Sequence, residues 1–161
     1  MDGPASIELR ALRADDADVL GRIHREPEVA RWWGHPDPGF PLEDEPEAER
    51  LVVEREGEVL GMVQFHEELE PRYRHATVDI FLDPACHGQG VGTEALRLVL
   101  GLLVERGHHR VTIDPALENV AAVRSYEKAG FTPVGVMRRY EREPFGPAWH
   151  DGLLMEYLAE P

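Results

Sequence analysis

Short stretches of strand-like and helix-like patterning alternate along this chain. Apolar and polar residues alternate through "SIELRAL", Ser6–Leu12, which predicts a strand. In "RADDADVLGRIHRE", Asp15 or Asp16 is placed to cap a helix whose apolar stripe is Val19, Leu20 and Ile23. Pro27 suits a first helical turn, so "PEVARWWGHPDPGFP" predicts a short second helix that runs into a loop at Gly34. "LEDEPEAER", residues 42–50, is an acidic, proline-broken connector. A hairpin follows, with strands over Arg50–Glu56 and Glu58–Glu68 flanking Gly57. "PRYRHA" turns the chain into another strand, "ATVDIFLDP", rich in β-branched and aromatic residues and ended by Pro84.

The second half is more helical. "GTEALRLVLGLLVERGH" carries an apolar stripe of Leu96, Val99, Leu100 and Leu103 and stops at Gly107. Leu98 and Leu102 widen that stripe, which predicts a helix packed on more than one side. His109–Pro115 is a short apolar strand, and "ENVAAVRSYEKAGF" is a helix that breaks at Gly130. "TPVGVMRRYERE" and "WHDGLLMEYLAE" are two closing strands. The order gives a mixed α/β (α+β) domain around one sheet, most simply a single domain over residues 1–161. Its two strand–helix–strand units predict parallel neighbours with right-handed crossovers.

Charge narrows the partners. Asp and Glu total 31 against 17 Lys and Arg, a net charge of −14. Neutralising phosphates needs a basic face, so nucleic acid is not an expected partner. The excess of acid serves either solubility or a high-salt habitat, or an acidic cleft that steers a cationic substrate. Cys86 is the only cysteine, which excludes an intramolecular disulfide and fits a cytoplasmic setting. The start, "MDGPASIELR", lacks the basic-then-apolar order of a signal peptide. No apolar run approaches the ~20 residues of a membrane span. No His-Glu-x-x-His or spaced Cys/His set occurs, so no metal is expected.

The chemistry begins at "DPACHGQGVGTEAL", Asp83–Leu96, where Gly88, Gly90 and Gly92 alternate between two apolar runs. A P-loop ends in Gly-Lys-Ser/Thr, but Val91 precedes Gly92 and no lysine is near. A dinucleotide fingerprint needs G-x-G-x-x-G early in the chain, and this is a late G-x-G-x-G. The N–H groups of Gln89–Thr93 at a helix N-terminus would suit an anion. From the glycines alone, a tight turn without a ligand stays open.

"HGQGVGTEAL" followed by "NVAAVRSYEKAGF" resembles the paired signature of the GNAT acyl-CoA N-acyltransferases. The second segment matches through Asn119, Ala122, Tyr126, Glu127, Lys128, Gly130 and Phe131. The first departs at His87, where the family has Arg or Gln. The resemblance implies a GNAT fold: a mostly antiparallel sheet, splayed between its middle parallel strands, with helices on both faces. It implies acetyl-CoA (coenzyme A) as co-substrate. Its binding residues would be Ile80, Phe81, Leu82, His87, Gly88, Gln89, Gly90, Val91, Gly92, Thr93, Asn119, Ala122 and Ser125. "ARWWGHPD", "TVDIFL", "TIDPALENVAAVRSYEKAGF" and "WHDGLLMEY" are similar to segments of aminoglycoside 6′-N-acetyltransferases. That likeness implies Trp32 and Trp33 walling an acceptor pocket, with Asp79, Asp114 and Asp151 facing an amino sugar.

The catalytic expectations rest on chemistry as well. An ammonium has no lone pair, so a base must take its proton. Asp79, mid-strand between Val78 and Ile80, is the candidate, unless it simply faces solvent. Tyr126 is the expected general acid for the departing thiolate, unless it is an ordinary core tyrosine. Adjacent helical tryptophans face about 100° apart, so Trp32 and Trp33 are not expected to share one core. Cys86 lacks an evident partner and is read as structural. The expected acceptor is a cationic amine, foremost the 6′-amine of an aminoglycoside, acetylated by a monomer or homodimer. A protein N-terminus, a siderophore hydroxylysine, or a non-catalytic acyl-CoA sensor are the alternatives.

Overall fold

The computed structural model describes residues 5–43 and 47–161. The middle of the acidic connector, residues 44–46, lies outside them, as do residues 1–4. The elements follow the predicted order. They are β1 (Glu8–Ala11), α1 (Ala17–His24), α2 (Pro27–Trp33), β2 (Glu49–Arg55), β3 (Glu58–Glu68), β4 (His75–Leu82), α3 (Val91–Glu105), β5 (Arg110–Ile113), α4 (Val120–Ala129), β6 (Thr132–Arg142) and β7 (Trp149–Leu158). A 3-10 turn over Ala14–Asp16 precedes α1. Asp16 occupies the α1 N-cap position but makes no side-chain cap there. Its carboxylate instead takes the Arg13 N–H and the Arg10 guanidinium, each at 2.8 Å.

One seven-stranded sheet runs β1-β2-β3-β4-β5-β7-β6. Only β4 and β5 are parallel; the other five pairings are antiparallel. Alternation along the strands divides the core in two. Val53, Val63, Val78 and Ile80 point to the face covered by α3, whose Leu96, Val99 and Leu103 are wholly buried. Val52, Met62 and Phe81 point to the other, against Leu20 and Ile23 of α1 and Val29 of α2. Both faces of the sheet are therefore helix-covered, which a sheet with a central parallel pair requires.

Two expectations change. The β4-α3-β5 unit gives parallel neighbours, but β5-α4-β6 does not, because β7 inserts antiparallel between β5 and β6. The chain's last strand thus fills the slot the crossover would have closed. The α3 stripe is also narrower than predicted. Leu98 is 41% exposed and only Leu102 adds partial burial, although α3 still packs against α4 as well as the sheet.

The pairing of β4 with β5 is brief. Register joins Ala76 to Val111 and Thr77 to Thr112, with the two threonine hydroxyls 3.0 Å apart. Beyond that point β4 continues to Leu82 beside β3, through Ile80–Val63 and Phe81–Met62. The segment after β5 follows β7 instead: Leu153 N–H donates to Pro115 O, and Leu117 N–H to Asp151 O, both at 2.9 Å. The sheet parts in its middle because each half stays bonded to its outer neighbour.

Phe131 closes the core where α4 meets the sheet; it is 1% exposed and stacks near Tyr126 and Tyr157. Phe131→Ala is expected to lower unfolding free energy by about 3–5 kcal/mol through lost burial and a residual cavity. Leu98→Ala should change it by no more than about 0.5 kcal/mol. Urea unfolding of the two variants checks both.

Candidate active site

The parting opens a cleft of about 1170 Å³ between β4 on one side and the β5–α4 segment on the other. One end is lined by the glycine turn. Gly88 and Gly90 have φ of +76° and +79°, a region that L side chains avoid, and a Cβ on either would point into open space. Gly90 caps α3 without any side-chain bond, and the first intrahelical bond runs from Glu94 N–H to Gly90 O. The N–H groups of Val91, Gly92 and Thr93 precede that bond and are the free donors of a 15-residue helix. This is a cradle for an anion such as a pyrophosphate.

The two sequence motifs meet at this end. Thr93 Oγ1 lies 3.2 Å from both the carbonyl and the hydroxyl of Ser125. A Cβ on Gly92 would stand 3.2 Å from Ser125 Oγ, so glycine allows α3 and α4 to approach at this point. Asn119 caps α4 by accepting the Ala122 N–H at 3.3 Å. His87, the odd residue of the turn, uses its Nε2 on Leu82 O at 3.2 Å and so ties the turn to the end of β4. Cys86 is buried, donates its S–H to Asp83 O, and has its thiol pKa pushed up by burial and by Asp83. That is the setting of a structural cysteine.

The middle of the cleft holds Asp79 and Tyr126. Burial, reinforced by the charges of Asp114 and Glu141, raises Asp79 to about 6. Gln64, directly opposite on β3, opposes the rise by hydrogen bonding, as His66 does by its charge. Burial lifts the Tyr126 phenol well above its ordinary value, and the nearby Asp79 and Asp114 add to this. A carboxylate poised near neutrality thus faces a phenol that keeps its proton.

The far end is acidic and aromatic. Trp32 and Trp33 both line it, each half-buried, in different surroundings. Trp33 meets Phe81 and His24 edge-on, at 5.1 and 5.8 Å between centroids, on the α1–α2 side of the core. Trp32 carries the Arg31 guanidinium on its ring at 4.5 Å and meets the His150 ring edge-on. Asp114 accepts a short hydrogen bond from the Tyr140 hydroxyl. That bond, with burial, pushes Tyr140 up to about 12.

Two expected residues lie outside the cleft. The Gln89 side chain donates to Ala85 O at 3.2 Å and accepts from Arg55, so it points away from the turn. The Asp151 carboxylate accepts the Arg139 N–H at 2.8 Å. Arg139 has φ of +49° inside a register shift of β6, and Asp151 holds that irregularity from the neighbouring strand. All the other expected residues line the cleft. Tyr140, Glu141 and His150 were not anticipated. They reach the site only because β6 gains residues against β7 between Met137–Gly152 and Glu141–His150. No alternation of residue types signals such a bulge.

One cleft thus joins an anion cradle at a helix N-terminus, a gap between parted strands, and a carboxylate and a phenol in its middle. Residues 9–131 match the model of the acetyltransferase (GNAT) family, and the chain belongs to that family. A probable N-acetyltransferase of Bacillus subtilis, YjcK, is 30% identical over 101 residues, covering 62% of this chain and 55% of that protein. Escherichia coli spermidine N(1)-acetyltransferase is 28% identical, covering 84% of this chain and 77% of that protein. Aminoglycoside N(6′)-acetyltransferase type 1 of Klebsiella pneumoniae is 27% identical, covering 89% and 80%. In solved structures the fold recurs in AAC(6′)-Ib with acetyl-CoA and an aminoglycoside (TM-score 0.77, 22% identity, 95% of this chain and 93% of that one). It recurs equally in Vibrio cholerae spermidine N-acetyltransferase with CoA and spermine (TM-score 0.80, 21% identity, 95% of both chains).

Asp114→Asn removes one of the charges that raise Asp79, so the Asp79 midpoint should move from about 6 to lower pH. Carbon-13 NMR of the Asp79 carboxyl in the two proteins reads the shift. A midpoint unchanged or raised would contradict an electrostatic contribution from Asp114.

Proposed function

We propose that the protein transfers the acetyl group of acetyl-CoA directly to a primary amine of a polycationic small molecule, foremost the 6′-amine of an aminoglycoside. The observation that carries this reading is Asp79: a carboxylate held near neutrality, half-buried mid-strand, facing Tyr126 across the parted sheet. Bound acetyl-CoA supplies an activated thioester. The Val91, Gly92 and Thr93 N–H groups hold its pyrophosphate, and Ile80–Leu82 offer the strand edge that β5 leaves free.

Asp79 takes the proton of the incoming ammonium, directly or through a water, and leaves a neutral amine facing the thioester. A pKa of about 6 leaves most of Asp79 ionised at neutral pH while keeping it basic enough to accept that proton. As the C–N bond forms and the C–S bond breaks, Tyr126 hands its proton to the departing thiolate and regains one from the N–H that the nitrogen loses, so the proton it gave ends on the thiol. Its raised pKa ensures that it is protonated when needed. Asp114, held by Tyr140, gives the acceptor a fixed negative partner.

An aminoglycoside is preferred over a linear polyamine because two half-buried tryptophans line the acceptor end, where flat sugar faces stack. Spermidine is the second reading, supported by relatives of comparable similarity. An acyl-CoA sensor has no use for the Asp79–Tyr126 pair.

Thiol release from acetyl-CoA, measured with kanamycin, tobramycin, spermidine and an N-terminal peptide, tests the reading. Sub-millimolar KM for the aminoglycosides is expected, and activity on the peptide alone would overturn it. Tyr126→Phe should lower kcat about 10²-fold or more with little change in acetyl-CoA KM. Because the base must be ionised, kcat/KM should fall tenfold per pH unit below about 6, and Asp79→Asn should remove the activity that this limb describes.

A further inference from the structure

The acceptor end contains a pair of residues with no part in the proton transfers beyond the Glu141 charge that helps to raise Asp79. Glu141 of β6 and His150 of β7 are cross-strand partners, and both line the cleft. His150 is 8% exposed, and its Nε2 has no hydrogen-bond partner among the described residues. Glu141 Oε2 is 3.4 Å from that nitrogen, close enough for charge but not aligned for a hydrogen bond. The Glu141 side chain is 51% exposed, so an incoming group can reach it. A buried polar nitrogen left unpaired is costly, and a donor arriving from outside would satisfy it. Around them stand Asp114, bonded to Tyr140, and the edge of Trp32.

We propose that Glu141 and His150 form a second anchoring subsite, which takes the distal ammonium of an acceptor bearing at least two amino groups. Asp79 and Asp114 then receive the reacting amine. Glu141 supplies the charge, and the His150 Nε2 accepts one N–H in the tautomer that carries its proton on Nδ1. The two strands that carry the pair belong to the half of the sheet bonded to β5, opposite the strand that carries Asp79. Two anchors on opposite walls read the spacing between amines as well as their number. The inference rests on the amine-acceptor reading proposed for the site.

Its test separates the two. Calorimetric titration of neamine, a multi-amine sugar, into the CoA-loaded enzyme measures binding without turnover. Thiol release is measured with neamine and with 6-amino-6-deoxyglucose, which has one amine. Glu141→Gln should weaken neamine binding about tenfold or more and lower by a similar factor the kcat/KM preference for neamine over the monoamine. His150→Gln, which keeps a polar side chain, should shift the same ratio in the same direction. Loss of affinity without any wild-type turnover would uphold the subsite and sink the transferase reading. Turnover with an unchanged preference ratio in both variants would sink the subsite and uphold the reading. An equal fall for both acceptors would show a merely structural role, and no wild-type affinity for neamine would overturn the subsite outright.

Discussion

Everything at the site depends on β4 and β5 ceasing to pair after Thr77 and Thr112. Continued pairing would fill the gap with a ladder and leave no backbone free for an extended substrate. The parting costs main-chain hydrogen bonds that a buried strand ordinarily makes, so their groups must find other partners. On one side β3 keeps β4 straight to Leu82. On the other, Pro115 and Leu117 are bonded to β7, which draws the chain after β5 away from β4. The free edge of Ile80–Leu82 is then a set of donors and acceptors waiting for a bound chain.

The same parting accounts for the electrostatics. Asp79 sits on β4 just past the last paired residue, where the sheet is open enough for a substrate yet still walled by Tyr126 and the helices. Desolvation is the largest cause of its raised pKa, with the Asp114 charge second. Both come from position: Asp114 directly follows β5, on the opposite lip of the gap. In this fold Asp79 and Asp114 share one partly dry cleft, which Glu28, Glu118 and Glu141 also line. A cation entering between Asp79 and Asp114 would relieve both burdens.

Much of this was legible in the residues, and the reasons are specific. The Asp83–Leu96 glycines and the Asn119–Phe131 segment were readable because their jobs are backbone jobs: a left-handed turn, a cap, a close helix approach. Such constraints select a residue type almost regardless of context. Asp79 was readable because a mid-strand carboxylate between Val78 and Ile80 is poorly placed unless something uses it. The insertion of β7 beside β5 was not, since nothing in the local pattern of β6 or β7 states which strand each will pair. The exposure of Leu98 was missed for a similar reason: apolar type alone does not say whether a neighbour is there to cover it.

Asp151 and Gly152 show how tertiary context reassigns a residue. By resemblance, Asp151 is expected to face an amino sugar. In the fold, Asp151 secures the left-handed Arg139, and a Cβ on Gly152 would come within 2.7 Å of the Tyr140 ring. Gly152 therefore leaves the space in which Tyr140 lies, and Tyr140 in turn reaches Asp114. The Asp-Gly pair acts on the acceptor end through the shape of β6, one strand removed from it. A bulge is the cheapest way to turn one short stretch of an edge strand inward while its flanks keep their register. In this way the exposed edge strand β6 brings Glu141 to the cleft beside His150 of β7, while Tyr140 reaches Asp114.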